Sequence, residues 1–534
     1  MTGAAAKRGQ RFAFVFPPWV GHISPSLPIA RRLSELGHEV VYISFNDLRE
    51  KAEGTGARFF SVADVEPELF AGRGGDFPSM LSALKEECGI RDLGSAAAMW
   101  MLRNVMIERQ LPGLLRTLRE LKPTALVHCP LCSPEASYAA KVLDTPCIAL
   151  NTFAGAGGLA GAVQSCFKDE KISWAGLDRE MRAFGPNLAA VDQLRTKYGL
   201  EVTPGMGALP GYLSTLADAT LTLTTTSEDL QDPMHPDLAT AYAAAGARFV
   251  AVGPLLDLPG TWRAHGVASG DLAVEMEPDD IVARVHAARA AGRPVALVSM
   301  GTVVTGNMPT FGWQGRTKDE QGKPRGLTGR ELCHAAWSGA FDAFGTNHPG
   351  EGPLLIVALG PQPDALDGLS VPPNALCVPS LPQVDILRAG VDVFLTHGGQ
   401  NSFTEALSCA TPLVVCPGFA DQVVNAAKAV NLGVGLKVDR PFPEPGEEEA
   451  AAAVYRANVC EALRTVSVGP EFKRAAAMCA EGLQKNYAGV EYTVEFILSV
   501  GQRSATLEES LATPVVKFNS IPAVSGVAAA FSGA

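Results

Sequence analysis

The residues of this chain best suited to chemistry concentrate between Val393 and Leu432, VFLTHGGQNSFTEALSCATPLVVCPGFADQVVNAAKAVNL. A short apolar run, Val393–Thr396, reads as a buried strand, and His397-Gly398-Gly399 as the turn that ends it. Asn401-Ser402 follows as an N-cap candidate, with Glu405 in capping-box spacing after Ser402. The unpaired N–H groups of a helix starting there favour an anion, and a diphosphate fits the position. Glu405, a turn further along, can accept hydroxyl protons. Thr411-Pro412 stops that helix at about Cys409, Leu413–Cys416 reads as a second buried strand, and Asp421 caps a helix to Leu432. An acid beside an amide, Asp421-Gln422, suits the vicinal hydroxyls of a sugar. Singly, each residue also has a structural use: the glycines turn, Asn401 and Asp421 cap, and Glu405 completes a box.

Strand, glycine loop, helix, strand, loop, helix is the grammar of an α/β protein with parallel sheets, and the rest of the chain repeats it. Arg11–Phe16 is a strand, Pro17–His22 a turn, Ser24–Leu36 a helix by its apolar spacing, and Glu39–Phe45 the next strand. This first β-α-β unit has no G-x-G-x-x-G, so dinucleotide binding is not favoured. Strands are further expected at Arg58–Val62, Ala125–His128, Pro146–Asn151, Ala219–Thr225 and Arg248–Val252. The stretch from Val62 to about Gly94 reads as irregular. A long helix, Ala97–Leu121, should kink or divide at Pro112. Asp257–Gly270 has linker composition, and a second sheet opens at Pro294–Met300. Gly306–Leu327 is polar and glycine-rich and reads as a flexible insertion, and Glu471–Val500 as one helix.

Composition limits the classes available. At 534 residues the chain is long enough for two domains, and 47% apolar with 19% charged residues describes a globular protein. A formal charge of −12 argues against nucleic acid or an anionic membrane as a general partner. No apolar run is long enough for a membrane span, and no secretory leader is evident. The 11 cysteines follow no framework spacing, which makes the cytoplasm the default compartment. Cys129-Pro-Leu-Cys132, with His128 in front, is formally a CxxC; a zinc or redox site would need further ligands or a thioredoxin-like setting, and buried thiols are the plainer reading.

The HGGQNSFTEAL block, the proline before the following strand and the closing Asp421-Gln422 closely resemble the donor signature of the UDP-glycosyltransferase superfamily. GHISPSLPIARRLSELGHEV resembles its opening, in which the first histidine, here His22, is the general base; His38 matches the second, structural one. Gly253-Pro254-Leu255-Leu256 resembles the start of its interdomain linker. Gly301-Thr302 resembles its S-x-G-[ST] turn, making Ser299 and Thr302 candidates for the diphosphate. Pro382-Gln383 resembles its W-x-P-Q segment.

The resemblance implies a GT-B architecture, two Rossmann-like parallel-sheet domains facing across a cleft with a C-terminal helix crossing back. The corresponding segments are an acceptor domain 1–256, a linker 257–277, a nucleotide-sugar domain 278–480, a returning helix 481–503 and a disordered tail 504–534. It implies inverting transfer of a hexose, glucose first, from a UDP-sugar co-substrate to a small lipophilic acceptor. No metal is required, because Ser299, Thr302, His397, Gly399, Asn401 and Ser402 meet the diphosphate. Gln383 reads the base, Glu405 the ribose, and Asp421 and Gln422 the sugar.

Two features depart from the family pattern. The aspartate that usually orients the base is missing: counting along the chain reaches Cys129 or Pro130, with Glu135 as the nearest acid. Ser380 replaces the tryptophan that stacks on uracil, which removes roughly 1–3 kcal/mol of stacking. Both leave room for a nucleotide-sugar-binding protein with weak or no transfer. An epimerase on the same architecture is the third reading.

Overall fold

The computed structural model describes residues 9–501 except 73, 91–94, 170–171, 208, 262–275, 309, 319–322 and 488. Most of the expected linker and all of the expected tail from 504 on lie outside the described residues. Two compact units emerge, and each is built on its own parallel sheet.

The first unit takes the described chain up to Ala160, Ile172–Asp257 and, from Tyr487, the described residues to Gly501. Its strands are β1 (Arg11–Val15), β2 (Glu39–Ser44), β3 (Arg58–Ser61), β4 (Ala125–His128), β5 (Cys147–Asn151), β6 (Leu221–Thr224) and β7 (Phe249–Ala251). They lie in the order β3-β2-β1-β4-β5-β6-β7, all parallel. A parallel sheet is covered on both faces, so its inner strands read as unbroken apolar runs rather than alternations. Phe12, Ala13 and Phe14 of β1 are accordingly fully buried. Strand order reverses between β1 and β4, which opens a crevice beyond their carboxyl ends.

The second unit carries β8 (Val295–Ser299), a two-stranded antiparallel ribbon of β9 (Thr317–Lys318) and β10 (Pro324–Arg325), then β11 (Leu354–Ala358), β12 (Ala375–Val378), β13 (Val393–Thr396), β14 (Leu413–Val415) and β15 (Gly435–Lys437). Its six-stranded sheet runs β12-β11-β8-β13-β14-β15, with the reversal between β8 and β13. The helix Gly329–Phe344 covers one face through Leu332, Cys333, Ala336, Trp337 and Ala340, spaced for one side of a helix. A reciprocal capping box of Thr328 and Glu331 starts it.

Four expectations are corrected. The long helix near residue 100 divides at Leu102, into Ser95–Met101 and Arg103–Leu121, and not at Pro112. Pro112 is accommodated because the Gly113 amide donates to the Glu66 carboxylate. The described part of 306–327 is tied down rather than loose: Trp313 is 1% exposed, donates to Asp364 at 2.9 Å and packs on Trp337 in the core. The region before residue 94 holds a regular helix, Phe77–Glu87, capped by Asp76.

Finally, the helix expected over 471–500 is two, Pro470–Asn486 and Gly489–Gly501. Gly489, at φ +56°, leaves the right-handed region, and the Glu228 amide donates to the Tyr487 hydroxyl at 2.7 Å. The helix Gly489–Gly501 buries Val494, Ile497 and Val500 in the first unit's core. It also pairs Glu491 with Arg32 at 2.8 Å. No helix among the described residues is long and apolar enough to cross a membrane.

Candidate functional site

In the first unit the chemistry gathers at the strand-order reversal. β1 feeds a helical turn, Val20–Ile23, which puts His22 in a turn of helix where the sequence suggested a loop. β4 runs beside β1, with Val15 opposite His128, so the residue after β4 arrives next to the His22 segment. That residue is Cys129, whose Sγ lies 3.2 Å from His22 Nδ1. The Thr152 hydroxyl, just past β5, is 3.4 Å from the same nitrogen. Cys132 Sγ stands 4.0 Å from Nδ1 and 3.9 Å from Nε2. Trp19 and Phe153 flank the ring, with centroids 5.8 and 5.9 Å away.

The electrostatics of the two thiols are linked. Burial pushes both up; their mutual hydrogen bond and the His22 imidazole outweigh it at Cys129, which falls well below the ordinary thiol range, while Cys132 rises well above it. Of the pair, Cys129 is the stronger acid, with its sulfur against the imidazole. Glu135, the nearest acid by spacing, is buried in the first turn of the helix Pro134–Leu143. Burial pushes its carboxyl up to about 8, so it is protonated at neutral pH. His128 is fully buried, its Nδ1 facing the carbonyls of Cys129 and Ser133 at 3.2 and 3.3 Å. Thr152 and Cys132 are neighbours of His22 that spacing alone does not reveal; only the sheet order brings them in.

In the second unit the candidates collect around the reversal between β8 and β13. Ser299 ends β8 in register with Thr396 of β13, and the His397 amide donates to the Ser299 carbonyl at 3.3 Å. The His397 ring lies between two glycines: a Cβ on Gly301, at φ +82°, or on Gly399 would come within 2.6 Å of it. Thr302, next in the turn, is exposed. Burial drives the His397 imidazole down to about 4, so the ring is neutral, and its Nδ1 is buried with no partner among the described residues.

The helix begins earlier than the sequence suggests, spanning Gln400–Ser408 with Gly399 as an N-cap that offers no side chain. Asn401 and Ser402 are therefore inside its first turn, and Ser402 with Glu405 forms no capping box. The cap comes from the neighbouring helix, Asp421–Asn431: the Gln400 amide donates to Asp421 Oδ2 at 2.8 Å. Asp421 is the first residue of its own helix, after Ala420 at φ +55°.

The remaining candidates lock together. The Gln383 side-chain amide donates to Ser402 Oγ at 3.0 Å and to Glu405 Oε2 at 2.6 Å. Burial raises the Glu405 carboxyl against the lowering effect of that bond. Gln422 Oε1 accepts the Gly418 and Phe419 amides at 2.8 and 3.3 Å, and Phe419 stacks on Phe311 at 4.2 Å. Two participants carry no sequence signal. Asn425, one turn after Asp421, donates to the Gly398 carbonyl at 2.9 Å. The buried Gln400 side chain has neither its oxygen nor its nitrogen bonded among the described residues.

Such a cradle of glycine turns, a neutral imidazole and a helix N-terminus can hold a diphosphate, with an acid and amides beside it for hydroxyl groups. Comparison with known proteins points the same way. The family model for "UDP-glucoronosyl and UDP-glucosyl transferase" matches residues 358–459. An uncharacterized UDP-glucosyltransferase, YdhE, of Bacillus subtilis (strain 168) is 32% identical over 110 residues, 21% of this chain and 26% of that protein. The alignment thus spans about a quarter of the relative's length. The glycotransferase of kitacinnamycin superposes over 92% of this chain and 99% of its own, with a TM-score of 0.55 at 20% identity. The calicheamicin glycosyltransferase CalG4 does so over 93% and 100%, also at 0.55, with 18% identity. Residues 358–459 thus resemble the UDP-glucoronosyl and UDP-glucosyl transferases, and the two parallel-sheet units share the GT-B fold of the solved glycosyltransferases.

Proposed function

We propose that the protein is an inverting glycosyltransferase that moves a hexose, glucose first, from a UDP-sugar to a hydroxyl of a small lipophilic acceptor. Cys129 and Thr152 engage His22 Nδ1, and Nε2, 3.9 Å from Cys132 Sγ, takes the acceptor proton. The freed oxygen attacks the anomeric carbon opposite the departing UDP. His397, the Gly399 and Asn401 amides, Ser402, Ser299 and Thr302 meet the charge that grows on the diphosphate, so this reading calls for no metal. Gln383 reads the base, Glu405 holds the ribose hydroxyls, and Asp421 and Gln422 hold the sugar. One observation carries the proposal: the buried Nδ1 of His397 at a helix N-terminus, which has no partner among the described residues and which a bound diphosphate would satisfy.

His22→Ala, with UDP binding by calorimetry and transfer by mass spectrometry, tests it. Transfer should disappear while UDP affinity stays; full turnover removes the assigned base. A second reading has its own support. Cys129 where the family has an aspartate, and Ser380 where it has a stacking tryptophan, favour a nucleotide-sugar-binding protein without transfer. UDP-glucose binding with no turnover over a broad panel of phenolic, steroid and polyketide acceptors would select it.

A further inference from the structure

The CxxC at Cys129 lacks further ligands in its own neighbourhood of sequence, and the fold supplies one from 107 residues away. We propose that His22 Nδ1, Cys129 Sγ and Cys132 Sγ form a three-ligand site for a soft divalent cation, Zn2+ foremost, whose occupation silences the base.

The geometry suits a metal centre. The three ligand atoms lie within 4.8 Å of one another. In a tetrahedral site with Zn–S about 2.3 Å and Zn–N about 2.0–2.1 Å, sulfur and nitrogen are separated by about 3.6 Å. The observed separations from Nδ1, 3.2 Å to Cys129 and 4.0 Å to Cys132, straddle that value, so small shifts of two side chains close the site. All three ligands are of the types that Zn2+ prefers. Cys129 is buried while His22 and Cys132 are partly exposed, which gives an ion a way in and leaves a fourth position for water. The ligands sit on frames that hold them: Cys129 directly after β4, Cys132 in the turn before the helix Pro134–Leu143, and His22 in its helical turn.

The consequence follows from ring chemistry. On binding, the ion replaces the thiol protons, which leave to solvent, and takes the Nδ1 lone pair. The remaining ring proton must then sit on Nε2, so that nitrogen can no longer accept one. Metal binding rests on the geometry alone; the loss of transfer rests on the proposed role of His22.

The test uses the full, reduced chain with Co2+ as a spectroscopic stand-in for Zn2+. The expected result is one equivalent of Co2+ bound with thiolate-to-cobalt charge transfer and four-coordinate ligand-field bands, bleached by Zn2+. Cys132→Ser should weaken Zn2+ binding, measured against a chromophoric chelator, by more than the roughly 10–100-fold that an outer-shell change costs. Cys129→Ser with Cys132→Ser should abolish the charge-transfer band. Missing charge transfer in the wild-type chain, or an undiminished band in Cys132→Ser, overturns the site. Transfer by the wild type should fall with the same Zn2+ midpoint and return on chelation. Binding with unaltered transfer would overturn the silencing and, separately, the assignment of His22 as the base. Should the double variant fail to fold, Cys132→Ser, at the more exposed thiol, keeps the test decisive.

Discussion

The sharpest prediction concerns Cys129, because the fold sets its sulfur against the proposed base. Its sulfur is 3.2 Å from His22 Nδ1, and the residue is 1% exposed, so water cannot replace it when it is removed. In the proposed reaction His22 becomes an imidazolium, and the thiol or thiolate at Nδ1 stabilises that charge. A hydrogen bond to a charged group contributes about 1.5–3 kcal/mol, and 1.4 kcal/mol is a factor of ten. Cys129→Ala should therefore lower kcat/KM by about 10- to 150-fold. Calorimetric UDP affinity should not move, since the donor candidates belong to the other unit. The assay is UDP release under saturating donor, with a thermal melt to show that the variant is folded. Cys129→Asp, which restores the family's carboxylate, should recover much of the loss. A folded Cys129→Ala enzyme with wild-type kcat/KM would falsify the argument, for the thiol would then be packing and nothing more.

Three further outcomes follow from the second unit. His397 is held neutral, down to about 4 against an ordinary value of 6.5. Between those values the unfolded chain binds a proton that the folded chain refuses. Stability from this group is thus intact above pH 6.5 and is lost as pH falls toward 4, by roughly 3 kcal/mol in all. His397→Gln should flatten the calorimetric stability profile over that window, and an unchanged slope would contradict the assignment. Gly301→Ala places a Cβ within 2.6 Å of the His397 ring on a residue at φ +82°, so UDP affinity should drop at least about tenfold; retained affinity means the ring does not hold the diphosphate. Asp421→Ala removes the carboxylate that caps the helix Gln400–Ser408 and should cost about 1 kcal/mol of stability, besides weakening use of the sugar. Asp421→Asn keeps an accepting oxygen and should retain most of that stability; equal loss in both variants rules out the cap.

Much of the fold is legible in the sequence because buried parallel strands leave simple marks. RFAFV, VALVS and VFLT are apolar runs of strand length, each followed by a turn, and they form β1, β8 and β13 within a residue or two. The candidate donor residues share one sheet edge for the same reason: loops after parallel strands all open on that side. What sequence hides is contact between distant segments. Ser402 and Glu405 have the spacing of a capping box, yet the cap is Asp421, from a different helix. Polar, glycine-rich residues 306–327 read as a flexible insertion, yet Trp313 among them is fixed in the core through Asp364 and Trp337. Counting reaches Cys129 or Pro130 without deciding between them, and Cys129, Cys132 and Thr152 meet His22 only because β4 and β5 follow β1 across the sheet.

The break at Tyr487 to Gly489 has a consequence for how the molecule is made. Val494, Ile497 and Val500 complete a hydrophobic core whose other members were synthesised before residue 256. Polypeptides emerge from the ribosome amino end first, and domains generally acquire structure in that order. Here the leading unit must wait, with an apolar seam uncovered on the helix Leu27–Glu35, until nearly five hundred residues have been translated. The trailing unit has its described strands by Lys437 and the last of its core by Phe472, so it can close ahead of it. A nascent chain stalled short of its carboxyl end would therefore hold a finished second half and an unfinished first one, an invitation to chaperones.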